Sequence, residues 1–206
     1  MKIYDISMEI YHEMAVYENK EEKKPIIGID SNFSDGCVYE SYIKMNLHTG
    51  THMDAPLHMI ESGSMIGSYE LSRVVTPCKV LDLTMVEDRI TAQNLVDRDI
   101  KTGDFILFKT RNSFEHQFNN DFIFLDKSGA EYLAKQGVAG VGIDALGIER
   151  SQPEHETHKI LFGADVVILE GLRLAEAKEG QYLLIAVPLK IKDVEAAPAR
   201  AILIEQ

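Results

Sequence analysis

Three of the seven histidines of this 206-residue chain fall close together, in the run His48-Thr49-Gly50-Thr51-His52-Met53-Asp54-Ala55-Pro56-Leu57-His58. Imidazole and carboxylate suit divalent first-row ions, and no thiolate lies in the run to impose a closed structural site. On a helix His48 and His52 would share a face, while Asp54 and His58 would rotate away from it. Gly50 and Pro56 also oppose a helix. In an extended segment positions 48, 52, 54 and 58 share one parity and point to one side. The run therefore reads as a strand edge passing into a loop, with four ligand-type side chains converging. A site of two His and one Asp (His48, His52, Asp54) leaves coordination positions for water, which an ion makes acidic enough to act as a nucleophile near neutral pH. Such chemistry also needs a group to move protons, and His58, with an unperturbed pKa close to working pH, is placed for it.

Two further candidates lie in the C-terminal half. His158 sits in Glu156-Thr157-His158-Lys159-Ile160-Leu161, ahead of an apolar strand, and Glu170 closes Val166 to Leu169 just before Gly171. Spacing alone fits each equally well to a site or to solvent. His155 has the opposite parity to His158 and is set aside. His12 and His116 stand in polar surroundings and read as surface residues.

The elements that must hold these residues are short apolar, β-branched runs: Lys79 to Leu83, Phe105 to Lys109, Val138 to Ile143, Val166 to Leu169, Tyr182 to Val187 and Ala201 to Ile204. Each has strand length and is bounded by Gly, Pro or Asp, and several are apolar on consecutive residues, as in strands covered on both faces. The opening Met1 to Ile6 also reads as the start of a strand. Ser128 to Glu131 fits a capping box for a helix that stops at Gly137, and Thr91 caps a shorter one. Strands alternating with few helices indicate an α/β domain. The charged stretch Glu18 to Pro25 reads as an exposed loop or flap.

The composition, 45% hydrophobic and 26% charged, is that of a globular chain with a sizeable core. A net charge of -12 opposes a nucleic-acid or anionic-membrane surface. Cys37 and Cys78 show no metal or redox spacing. With no signal-peptide core and no membrane-length apolar run, the expected location is cytoplasmic.

The run from His48 to His58 resembles the HxGTHxDxPxH signature of the cyclase family of metal-dependent hydrolases, which includes bacterial-type kynurenine formamidases (arylformamidases) and isatin hydrolases. Every fixed position is present. Tyr4-Asp5-Ile6-Ser7 is similar to the family's opening strand, and Gly142-Ile143-Asp144 to its central Gly-x-Asp strand. His158-Lys159-Ile160-Leu161 and Val167 to Leu172 resemble its later segments. The resemblance implies one domain over residues 1–206, an α/β fold with a swivelling β/β/α arrangement, a mixed β-sheet core and few helices. It implies His48, His52 and Asp54 as metal ligands, with Asp54 able to bridge a second ion completed by His158 and Glu170, and His58 as the catalytic acid/base. The implied cofactor is a divalent metal, zinc foremost and manganese next, with one or two ions per site, in a homodimer or homotetramer. The implied reaction is hydrolysis of a small amide, N-formylkynurenine to kynurenine and formate in tryptophan catabolism. The alternatives are a cyclic amide such as isatin, or metal binding without catalysis. The chain departs from the formamidase pattern in having no Trp. Met14 to Lys20 stands in place of the Trp and Pro-Gly-Asp turn, and Ala145-Leu146-Gly147-Ile148 stands where many relatives carry a Ser.

Overall fold

The computed structural model describes residues 1–205. In chain order the strands are β1 (Lys2–Asp5), β2 (Ile26–Ser31), β3 (Glu40–Lys44), β4 (His52–Asp54), β5 (Val75–Asp82), β6 (Arg89–Ile90), β7 (Phe105–Lys109), β8 (Phe124–Leu125), β9 (Gly140–Ile143), β10 (Val167–Glu170), β11 (Gly180–Pro188) and β12 (Ala196–Glu205). The helices are α1 (Ala92–Leu95), α2 (Lys127–Gln136) and α3 (Glu156–Gly163). This is the mixed, strand-rich α/β fold with few helices that the sequence indicates.

Eight strands form one sheet in the order β1-β12-β11-β5-β7-β9-β10-β4, and β12 also pairs with β4. The second pairing closes a ring from β12 back to β12, with β1 added along its margin. Strands β5, β7, β9 and β10 run parallel, whereas β11, β12, β1 and β4 add antiparallel pairs. Alternation then divides the side chains between an interior and an exterior. Met53, Val80, Phe105, Leu107, Val167, Leu169, Leu184 and Leu203 form one buried cluster inside the ring. The interior positions of β9 are glycines: a Cβ at Gly140 would stand 2.2 Å from the Phe105 ring, and one at Gly142 would stand 2.5 Å from Leu107. The exterior carries Ile106, Phe108, Val141, Ile143 and Ile168, which pack with Leu133 of α2 and Leu161 and Phe162 of α3. Each such buried side chain contributes roughly 1.5–3 kcal/mol over leaving it in water, so the helices are fastened to one side of the ring. That side is where the candidate residues meet.

The structure corrects two expectations. First, parity governs only His52 and Asp54, the two ends of β4. Gly50 adopts φ +74° and turns the chain between His48 and β4, and His58 closes a 3₁₀ turn that begins at Pro56. Second, α2 is capped by Asp126, whose carboxylate accepts the Gly129 amide at 2.9 Å. Ser128 lies inside that first turn, where its hydroxyl donates to Asp126 and accepts the Ala92 amide, tying α2 to α1. His158 lies ahead of the apolar strand β10, as expected, and belongs to a helix, α3. Gly137 and Thr91 end and cap their helices as expected, and His12 and His116 are exposed.

The strands β2 and β3 form a hairpin that the sequence does not mark. Among the described residues they pair only with each other. Ile27, Ile29, Tyr42 and Ile43 are exposed along them, as are Phe33, Val38 and Tyr39 at the tip.

Among the described residues no helix is long and apolar enough to cross a membrane.

Candidate metal centre

The site is assembled where the margin of the ring meets α3. On β4, Met53 points into the ring, so its neighbours His52 and Asp54 point out of it, both fully buried. The adjacent strand β10 is antiparallel and in register, with Glu170 opposite His52. Val167 and Leu169 fill the interior, and Glu170 shares the outer face with His52 and Asp54. The helix α3 lays His158 over these three.

The residues beside the ligand types have structural work. Thr51 accepts the Met8 amide at 2.8 Å and donates to the Gly171 carbonyl. Thr49 donates to the Lys23 carbonyl at 2.8 Å. Gly171, at φ +69°, backs directly onto Gly50, and a Cβ there would stand 2.3 Å from the Gly50 carbonyl oxygen. Two glycines therefore allow the turn into β4 and the end of β10 to touch.

Five side chains converge. His52 Nε2 lies 3.4 Å from Asp54 Oδ1 and 3.3 Å from Glu170 Oε2. His158 Nε2 lies 3.6 Å from Asp54 Oδ2 and 3.4 Å from Glu170 Oε1. His48 Nδ1 lies 3.0 Å from Asp54 Oδ1. The two deeply buried imidazoles are oriented from behind. His52 Nδ1 faces the Gly50 carbonyl at 2.9 Å, and His158 Nδ1 faces Glu149 Oε1 at 2.7 Å. Donation from each Nδ1–H leaves the Nε2 lone pair aimed inward, the tautomer a metal ligand needs. His52 Nε2, His158 Nε2 and both carboxylate oxygens of Asp54 are buried with no hydrogen-bond partner among the described residues. An orphaned buried polar atom costs about 1–3 kcal/mol, and more when charged. Four of them pointing at one another, in an imidazole and carboxylate donor set, fit a divalent cation.

The electrostatics agree. Burial pushes the His52 imidazole down, but Asp54 and Glu170 outweigh it and hold it up at about 10. Burial likewise opposes charge on His158, and its carboxylate neighbours Asp54, Glu149 and Glu170 raise it well above the ordinary imidazole value. Burial and the Asp54 charge push Glu170 up, and His158 and His52 overcome both to bring it to about 2. The pocket thus stabilises positive charge strongly.

His58 differs from the other five. It is half-buried, with its ring centroid 4.2 Å from that of His48 and 5.5 Å from that of His158. Burial, helped by the neighbouring imidazoles, lowers its pKa despite the nearby carboxylates. It lines a cavity of about 270 Å³ together with Tyr17, Lys23, His48, Glu149 and His155.

The structure thus brings together all six residues singled out in the sequence, His48, His52, Asp54, His58, His158 and Glu170. Sequence reasoning missed two. Glu149 accepts from His158, from Gln152 at 2.8 Å and from the Thr157 amide at 2.9 Å, so it orients a site imidazole and caps α3 together. His155, set aside on parity, reaches the same Glu149 oxygen at 2.8 Å; on a helix start, parity is the wrong rule. Asp144, by contrast, is a structural post. It accepts from Thr110, Asn112 and Ser113 and stands apart from the cluster.

Comparisons with known proteins agree with this geometry. Residues 4–150 match the family model described as "Putative cyclase". A kynurenine formamidase of Erythrobacter litoralis is 39% identical over 163 residues, 78% of this chain and 74% of that protein. A solved structure described as a predicted metal-dependent hydrolase from Bacillus stearothermophilus is 52% identical, with TM-score 0.90, covering 98% of this chain and 97% of that one. Isatin hydrolase A from Labrenzia aggregata, bound to benzyl benzoate, shares the fold at TM-score 0.86 and 21% identity, over 100% of this chain and 94% of that one. The signature run, the closed sheet that presents it and the match across most of the chain lead to one conclusion: this protein belongs to the cyclase family.

Proposed function

We propose that this chain hydrolyses N-formylkynurenine to kynurenine and formate. The reaction class is that of a metal-dependent amidohydrolase acting on a small molecule. The observation that carries the reading is the set of orphaned, buried His52, His158 and Asp54 atoms beside a half-buried, uncommitted His58. In this proposal His48, His52 and Asp54 hold one divalent ion, and Asp54, His158 and Glu170 hold a second. Zinc is the first choice and manganese the second, because imidazole and carboxylate accept both. Such an ion supplies electrophilic activation of the amide carbonyl and lowers the pKa of a water to near neutrality.

The remaining work falls to the chain itself. His58, kept neutral by burial, accepts the proton of the attacking water and returns it to the departing aryl amine. Glu149 holds His158 in one tautomer. The kynurenine formamidase relative supports the formyl amide. Opening of a cyclic amide is the second reading, supported by the fold shared with the isatin hydrolase.

The direct test is formate release from N-formylkynurenine by the purified protein, before and after chelation and on adding zinc or manganese back. Release that chelation abolishes and metal restores is the expected outcome. No release with metal bound would overturn the substrate, and cleavage of isatin instead would install the second reading.

We further propose self-association as a homodimer or homotetramer. A two-stranded hairpin is marginal in water by itself, and β2–β3 exposes Ile27, Ile29, Tyr42 and Ile43. Changing Ile27 and Ile43 together to Lys is expected to lower the assembly mass in sedimentation equilibrium. An unchanged mass would place the contact elsewhere.

A further inference from the structure

The charged stretch from Glu18 to Pro25 does more than face solvent. Lys20 pairs with Glu18, and Lys24 pairs with Glu21 at 2.7 Å. Lys23 is the exception, with no carboxylate at ion-pair distance among the described residues. Its ammonium stands over the Tyr17 ring, 5.2 Å from the centroid. Tyr17 is itself wedged against Phe118 and Phe122, at centroid separations of 5.3 and 6.3 Å. The Lys23 carbonyl is bonded to the Thr49 hydroxyl, so its backbone is fastened to the turn that follows His48. Lys23 and Tyr17 line the same cavity as His48 and His58.

The other cation on that wall is committed. Arg150 bonds to Asp88, to Asp121 at 3.2 Å and to the Asn120 carbonyl at 2.8 Å. Lys23 is therefore the cation of the cavity that remains open to an anion. It stands in a chain of net charge -12, whose long-range field opposes an anionic ligand, so local compensation is needed where one binds. An ammonium on an aromatic face, carried by a half-buried lysine that lines the cavity, supplies that compensation.

We propose that Lys23 binds a carboxylate of the substrate while Tyr17 packs against its aryl ring, so that the site selects aryl formamides bearing an anionic group. This rests on the amide-hydrolase reading above and narrows its substrate class.

The test compares N-formylanthranilate with formanilide, aryl formamides that differ by one ring carboxylate. In the zinc-loaded Lys23→Met variant the ratio of KM for N-formylanthranilate to KM for formanilide is expected to rise about tenfold, while the kcat ratio stays level. Lys23→Arg is expected to return the KM ratio toward wild type, since the charge is restored. A KM ratio that Lys23→Met leaves unchanged overturns the assignment. If the wild type cleaves neither formamide, formate release from N-formylkynurenine decides the amide reading separately, and binding still decides the role of Lys23. Calorimetric titration with anthranilate and with its neutral analogue anthranilamide is then read. A preference for anthranilate that shrinks about tenfold in Lys23→Met upholds the role, and a preference that does not change overturns it.

Discussion

Asp54→Asn is expected to remove the bound divalent ion and the turnover together, while the fold survives. Asp54 is the residue on which the site converges: His48, His52 and His158 all face its two carboxylate oxygens, at 3.0, 3.4 and 3.6 Å. Burial pushes its carboxyl up, but the surrounding imidazoles outweigh burial and hold it well below the usual carboxylate range. Asparagine keeps the shape and removes the charge, and it offers an NH₂ group where an acceptor is needed. The fold is insulated from the change because Asp54 is held through its backbone. Its strand pairs with Ile168 on one side and Ala196 on the other, and its carbonyl accepts the Tyr69 hydroxyl. The measurement is metal content by mass spectrometry after gel filtration, beside formate release and a thermal melt. A variant that retained a full complement of ion would refute Asp54 as the shared ligand. The wild type should lose its ion in acid for a related reason. His52 and His158 have raised affinities for protons in the chain alone, so protons compete with metal for the same lone pairs, and retention falls as pH falls.

Much of this site was legible in the chain because its parts are local. His48, His52, Asp54 and His58 lie in one short run, and their ligand chemistry is apparent before any fold is known. The consecutive apolar residues of Phe105 to Lys109 and Val166 to Leu169 likewise marked strands with two covered faces. What the sequence hid depends on distant pairing. Glu149 caps α3 from eight residues before Thr157, so no capping pattern at the helix start could reveal it. Without that cap, His158 reads as a residue ahead of a strand, and parity, which applies only to extended chain, sets His155 aside. Ring closure depends on β4 meeting β12 through Ala196 to Pro198, residues with little strand propensity of their own. The hairpin from Ile26 to Lys44 had apolar residues on both faces, which gives no alternation to read. Lys23 was concealed by its neighbours: in a run of charges the natural reading is solvent, and only the stacking on Tyr17 singles it out.

His58→Ala is expected to lower kcat by about 10²- to 10⁴-fold, the usual yield of a positioned proton carrier, with metal content unchanged. The separation of the two readouts follows from geometry. His52 and His158 have their Nδ1 atoms anchored by Gly50 and Glu149, whereas His58 stands on a 3₁₀ turn beside them, half-buried and facing the cavity. The pH profile identifies its role further. A general base must be neutral before it accepts a proton, so the rate falls as pH drops through its pKa. Burial places the His58 pKa below the ordinary imidazole value, so the acid limb of kcat/KM is expected below that value and should vanish from the residual rate of the alanine variant. Proton competition for the ion also acts in acid, and metal content measured at each pH separates the two effects. A limb that persists unchanged in His58→Ala while the ion stays bound would assign the proton transfer to another group. His155 would then be the next residue to change, because it lines the same cavity and shares Glu149 with His158.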